Sequence, residues 1–241
     1  LFCNFISSQR ERCENNNQFG KVWITNGTTR LSIKREKLDE YLTQGYSRGM
    51  GKLNLRRDKI TCIVGLEHKG KVIIGGDVQG TGGNTKILHT QPKVFNKKGV
   101  LMGYTSSYRF GQILEHNLAD PVVPENINEV YRWLITVLVP DIKRALKDHN
   151  YGKDDSGGNA LIGVRGQLWE LQPDFSVLRS VLGYNAVGSG EEYAKASVYT
   201  STANFGGFAT LDAARSAVEL AIATAGNFSP SVGTEAVLLV A

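Results

Sequence analysis

From Ile60 onward the apolar residues fall into short β-type runs paired across tight turns, and these pairs alternate in blocks with helical runs. Ile63–Leu66 and Val72–Ile74 flank the turn His68-Lys69-Gly70-Lys71, and Gly75-Gly76-Asp77 closes that hairpin. A Gly-rich stretch runs from Gln79 to Thr85, and a second strand pair, Lys93–Phe95 with Val100–Tyr104, turns through residues 96–99. Tyr108–Leu118 and Ile127–Val139 carry helical periodicity, and Pro140 is expected to kink the second helix or split it from Ile142–Lys147. After a loop over Asp154–Gly158 comes a hairpin, Ala160–Val164 with Leu168–Leu171. A strand over Asn185–Val187 ends at Gly188-Ser189-Gly190, helices follow over Glu191–Tyr199 and Leu211–Ala225, and Ala236–Val240 is a closing strand. This block order excludes the βαβαβ alternation of a parallel doubly wound sheet. It fits an α+β domain with two mainly antiparallel sheets face to face and helices on both outer faces.

Charge separates the first quarter from the rest. Residues 1–60 hold 12 Lys/Arg against 6 Asp/Glu, a balance of +6, and residues 61–241 hold 16 against 17, so the whole net charge of +5 lies in the first quarter. Residues 1–20, with Asn15-Asn16-Asn17, read as a disordered or fragmentary tract. Residues 21–50 read as a small basic hairpin-helix module. Lys21–Thr25 meets the Asn26-Gly27 turn, Thr29–Ile33 returns, and Lys34–Thr43 places Leu38, Tyr41 and Leu42 on one helix face. Residues 51–60 are a basic linker, and 61–241 form the large domain. An excess of positive charge confined to one module points to weak contact of residues 1–60 with nucleic acid or another polyanion.

Three motifs of the large domain carry a family resemblance. Thr61-Cys62-Ile63-Val64-Gly65, Val72-Ile73-Ile74-Gly75-Gly76-Asp77 and Gly83-Asn84-Thr85 resemble the opening of the bacterial proteasome-like peptidase HslV and of proteasome β-subunits. In those N-terminal nucleophile (Ntn) hydrolases the catalytic threonine opens the mature chain. An aspartate stands 16 residues later and a lysine 32 residues later, which here are Asp77 and Lys93. Gly188-Ser189-Gly190 before Glu191 matches the later Gly-Ser-Gly that supplies a serine. The resemblance implies a four-layer αββα sandwich for residues 61–241 and a threonine-type endopeptidase that needs neither metal nor cofactor. Thr61 would be the nucleophile and its own α-amine the base. The Lys93 ammonium would lower the pKa of that amine, Asp77 would hold Lys93, and Ser189 would bond the amine. A backbone N–H in Thr105-Ser106-Ser107, assigned to Ser106, would meet the oxyanion, where the family usually has Gly-Gly. Taken singly, Asp77 also reads as a turn residue, Lys93 as a solvated lysine and Ser189 as a helix cap.

Two departures bear on activity. Thr61 is internal and follows Ile60, so in the uncut chain its nitrogen is an amide and cannot serve as a base. The family's late aspartate, near the end of the last long helix, is absent, and Asn227 or Ser229 stands in that neighbourhood. The alternative to a peptidase is therefore a silent structural or assembly subunit with the same fold. The resemblance implies peptide or unfolded protein as substrate, self-association into a ring and an ATP-dependent unfoldase as partner.

Residues 21–50 resemble a small accessory motif of phage homing endonucleases, carried by Val22-Trp23-Ile24-Thr25-Asn26-Gly27, Ile33-Lys34, Leu38, Tyr41-Leu42 and Gly45-Tyr46. No nuclease motif accompanies it. Cys3, Cys13 and Cys62 have no metal-ligand spacing and read as free thiols. No window of 18 consecutive apolar residues predicts a membrane span. These features lead to the expectation of a cytoplasmic protein of a bacterial or phage-infected cell.

Overall fold

The structure, a computed structural model, describes residues 21–26, 29–48, 61–82, 85–151 and 157–241. The expected tract 1–20, the linker 51–60 and most of the loop before Gly158 lie outside these residues. The chain divides into two compact units between Arg57 and Asp58.

In the first unit β1 (Lys21–Thr25) is the central strand of an antiparallel sheet, flanked by β2 (Arg30–Lys34) and β3 (Ser47–Arg48). A 3-10 turn, Arg35–Lys37, leads into α1 (Leu38–Thr43). Val22, Ile24 and Ile33 alternate to one face of the sheet, where Leu31, Leu38, Tyr41 and Tyr46 cover them. Asn26 shapes the hairpin, its side chain accepting the Thr29 N–H at 2.8 Å. The short strand β3 gives no periodic signal in the sequence because it is two residues long.

The second unit has four layers. One sheet has the order β13-β4-β5-β14, built from Tyr184–Gly188, Cys62–His68, Lys71–Asp77 and Ala236–Val240. The other has the order β12-β11-β10-β9-β8, built from Val177–Arg179, Gln167–Leu171, Ala160–Val164, Val100–Tyr104 and Val94–Lys97. A separate hairpin pairs β6 (Gln79–Gly82) with β7 (Thr85–Leu88). All pairings are antiparallel. Ile63, Ile74, Val94, Leu101 and Leu161 fill the space between the two sheets. On the outer face of the five-stranded sheet Met102, Ile162 and Leu171 meet α2 (Tyr108–His116) and a long helical run containing α3 (Val130–Trp133) and α4 (Val139–Asp148). On the outer face of the four-stranded sheet Val64, Leu66 and Ile73 meet α5 (Glu191–Phe205) and α6 (Leu211–Phe228). This is the expected αββα sandwich.

Two local readings change. Pro140 neither splits nor ends its helix. The segment before it, Leu134–Leu138, is π-helical, and α4 follows directly with proline in its first turn. Widening the helix ahead of a residue that has no N–H accommodates the proline without a break. Gly75-Gly76-Asp77 does not close a hairpin but completes β5. These glycines are packing positions. A Cβ on Gly75 would lie 2.9 Å from side-chain atoms of Ile222 and Val218, and one on Gly76 would lie 2.8 Å from Ile63.

Gly103, in β9, meets the same constraint from the other sheet. A Cβ there would lie 2.5 Å from Ile63 Cγ2 and 2.8 Å from Ile74 Cγ2. Gly103→Ala should therefore lower stability by about 1–3 kcal/mol through overpacking. The expected result is a lower urea midpoint with an unchanged slope. An unshifted midpoint would mean that the two sheets have slack at this level.

Candidate active site

The predicted residues converge at one end of the sandwich. Thr61 immediately precedes β4, Asp77 ends β5 and Lys93 immediately precedes β8, and all three are buried. β4 and β5 pair with Ile63 opposite Gly76, so the ends that carry Thr61 and Asp77 lie side by side. Lys93 arrives from the other sheet through the close approach that Gly76 permits, a Cβ there lying 3.5 Å from the Lys93 Cβ.

Asp77 is the node. One of its oxygens, Oδ1, accepts the Cys62 N–H at 2.9 Å and the Lys93 ammonium at 2.9 Å. The other, Oδ2, accepts the Gly233 N–H at 3.1 Å and the Gln79 N–H at 3.3 Å. The ammonium and the first amide after Thr61 thus share a single oxygen atom. Lys93 also donates to the Gln79 carbonyl, and its ammonium lies 6.0 Å from the centre of the Tyr108 ring. Burial pushes the Lys93 ammonium below its ordinary pKa range, and the charge and hydrogen bond of Asp77 offset part of that. Burial likewise pushes the neighbouring Cys62 thiol up to about 12, so it is no thiolate nucleophile at neutral pH.

Ser189 lies against Thr61. The Thr61 N–H donates to Ser189 Oγ at 3.4 Å, and that hydroxyl lies 3.4 Å from the Thr61 carbonyl oxygen. Gly188 makes this approach possible. Its φ is +111°, and a Cβ there would lie 2.1 Å from the Thr61 carbonyl oxygen. Ser189 Oγ is 2.8 Å from Ser231 Oγ, which is 3.0 Å from Ser229 Oγ. Of the two residues considered for the late acid position, Ser229 therefore reaches Thr61 through a chain of hydroxyls. Asn227 does not join it. α6 continues to Phe228, which leaves Asn227 on the exposed side, while Ser229 caps the helix and is buried. Ser231, the middle of the chain, was missed in the sequence, where it is one serine in a polar loop with no spacing signal.

Ser106 sits in the turn between β9 and α2. Its φ is +80°, a left-handed conformation that glycine adopts most easily. The serine side chain closes the turn by accepting the Asn159 N–H at 3.2 Å, while the Thr105 N–H donates to the Asn159 carbonyl at 2.9 Å. Ser107 caps α2 by accepting from Phe110 N–H at 3.1 Å. Among the described residues nothing accepts the Ser106 backbone N–H, and Ser106 is exposed. Also among the described residues, no group of three or more His, Cys, Asp or Glu could hold a metal, and no helix is long and apolar enough to cross a membrane.

The Asp77 node gives a ranked stability expectation. Lys93→Met strands a buried carboxylate and should cost about 3–5 kcal/mol. Asp77→Ala should cost more, since it strands the ammonium and three backbone N–H groups together. Urea unfolding of both variants checks the order, and an Asp77→Ala loss smaller than that of Lys93→Met would show that the backbone contacts carry little.

No protein-family model and no curated protein sequence matches the chain. Solved structures do. BPH from Thiobacillus denitrificans in complex with epoxomicin superposes with a TM-score of 0.63 at 22% identity, covering 75% of this chain and 98% of that one. BPH from the same organism in a second structure gives 0.62 at 20%, covering 75% and 97%. Eukaryotic HslV from Trypanosoma brucei gives 0.55 at 17%, covering 75% and 98%. At this identity the likeness establishes the fold: the chain has the HslV-like Ntn-hydrolase fold.

Proposed function

We propose that the second unit is a threonine-type peptidase whose nucleophile is Thr61, active once Thr61 is the first residue of the chain. The observation that carries this reading is the single Asp77 oxygen bonded to both the Cys62 amide and the Lys93 ammonium. It sets a fixed positive charge beside the residue whose amine must act as a base. A free α-amine titrates near ~8, and a neighbouring cation lowers that value, so the amine is neutral and basic near neutral pH.

The chemistry then runs on this chain's own groups. The Thr61 amine takes the proton of the Thr61 hydroxyl, directly or through a water, as the oxygen attacks a peptide carbonyl. Ser189 holds the amine, with Ser231 and Ser229 behind it. The tetrahedral oxyanion meets the Ser106 N–H, and the side-chain bond to Asn159 keeps that turn in its left-handed form. Collapse of the intermediate returns the proton to the leaving amine and leaves an ester on Thr61, which water hydrolyses.

Substrates in this reading are peptides or unfolded chains. A second copy of the chain is the first expected partner, and a ring closed in this way would take its substrate from an ATP-dependent unfoldase. Self-association is supported by the helical run before α4. Ile127, Tyr131 and Ile135 recur there every four residues and are all exposed. Ile135→Glu should convert an oligomer to monomer by light scattering at tens of micromolar, and a wild-type monomer under those conditions would remove this part of the proposal.

The activity test uses full-length protein with a site-specific protease sequence inserted directly before Thr61 and cut after folding. Cut protein should hydrolyse small peptides and take up epoxomicin, the compound carried by the T. denitrificans BPH structure, as a mass increase. Uncut protein should do neither. Self-cleavage after Ile60 should be slow or absent, because a β-branched residue is poorly suited to the tight turn the attack needs. In the cut protein kcat/KM should rise with pH through the titration of the Thr61 amine, and Thr61→Ala should abolish turnover. Equal hydrolysis by uncut protein, verified by intact mass, would rule out the amine as base. No hydrolysis and no uptake by either form would favour the alternative of a silent structural subunit.

A further inference from the structure

We propose that the exposed face of the three-stranded sheet in the first unit is a binding platform for single-stranded nucleic acid, centred on Trp23. The argument is independent of the peptidase reading. Charge is sorted within this unit. Among the described residues the strands carry Lys21, Arg30, Lys34 and Arg48 and no acidic residue, while Glu36, Asp39 and Glu40 lie with Arg35 and Lys37 on the helical segment 35–43. The helical segment and the apolar core occupy one face of the sheet, through Val22, Ile24 and Ile33.

The strand register then sets what the opposite face holds. Trp23 lies in the middle of the central strand, at the position between the buried Val22 and Ile24, so its indole stands on the other side and is 41% exposed. It pairs with Ser32, which is half-buried. One step along the same face of the return strand, two residues beyond Ser32, stands Lys34, which is exposed. At the other end Arg30 pairs with Thr25, and Thr25 is buried, so the open part of the face runs from Trp23 toward Lys34.

A large, partly exposed indole at the centre of a sheet whose strands carry basic and no acidic residues matches a ligand that offers a flat aromatic surface and an anionic chain. Stacking on the indole supplies sequence-tolerant affinity, and Lys34, one step along the same face, reaches a phosphate. The ligand is single-stranded, because a base within a duplex already has both faces covered by its neighbours. An anionic membrane surface offers Lys34 the same charge but no ring for Trp23 to stack on.

The test is fluorescence anisotropy of full-length protein with a labelled 20-nucleotide oligothymidylate, a matched duplex and heparin as polyanion control. The expected result is binding to the single strand in preference to the duplex, with quenching of indole fluorescence. Trp23→Ala should weaken single-strand binding about tenfold or more and Trp23→Phe much less. Lys34→Ala should flatten the dependence of log affinity on log salt by about 0.7, the value for one phosphate of a single strand. No binding by wild type overturns the proposal. So does equal binding to heparin, duplex and single strand that Trp23→Ala leaves unchanged, which would mean a surface that reads charge alone. The species tested is the full-length, uncut protein, so failure of the peptidase reading leaves this result untouched.

Discussion

A single buried carboxylate organises the end of the large unit that carries Thr61. Asp77 takes hydrogen bonds from four places in the chain: the start of β4, the turn into β6, the lysine that opens β8 and the loop after α6. A buried charge is tolerated only when it is paired and hydrogen-bonded. Here the requirement to satisfy Asp77 brings both sheets and the last helix to one point. The same requirement fixes Lys93, because an ammonium that left the carboxylate would be a second unpaired charge in the core. Thr61 inherits a defined electrostatic environment from a stability constraint one residue away.

The other side of Thr61 is built differently. The resembled family carries an aspartate in this neighbourhood, whereas this chain places three hydroxyls in series, Ser189, Ser231 and Ser229. Hydroxyls donate and accept, so a series of them holds a nitrogen in position and passes hydrogen-bond polarity along, but adds no negative charge. In the proposed mechanism the negative charge near this side comes from Glu191, two residues beyond Ser189, whose charge, after burial and Asp77, helps to raise the pKa of the neighbouring Cys62 thiol.

The sandwich was legible because its strand and helix periodicities are strong and come in an order that admits few folds. Asp77 and Lys93 were picked out by the resemblance, whose offsets count from Thr61, and the structure brings both to the end of the sandwich where Thr61 lies. What escaped was whatever depends on close approach or on loops. Gly75 and Gly76 read as a turn because glycine usually marks one, yet here they are strand positions thinned to let α6 and the facing sheet pack. The π-helical step before Pro140 is invisible to periodicity, as is the two-residue strand β3. Ser231 had no signal, since its role comes from where a loop lands in space.

Ser106 stands where the resembled family usually has glycine, and its turn is held by a side-chain bond that glycine cannot make. The turn requires a positive φ, which costs an L-residue roughly 1–2 kcal/mol relative to its relaxed backbone. Serine offsets part of that cost by accepting the Asn159 N–H, a donor that a glycine would leave to find another partner. The bond also couples the turn to the start of β10, so the exposed Ser106 N–H is held by the sheet rather than by the flexibility of its own backbone. A glycine pair makes such a turn easy to form. A serine anchored across to the next strand makes it harder to leave, and in the proposed mechanism a donor that meets the oxyanion would benefit from the second property more than from the first.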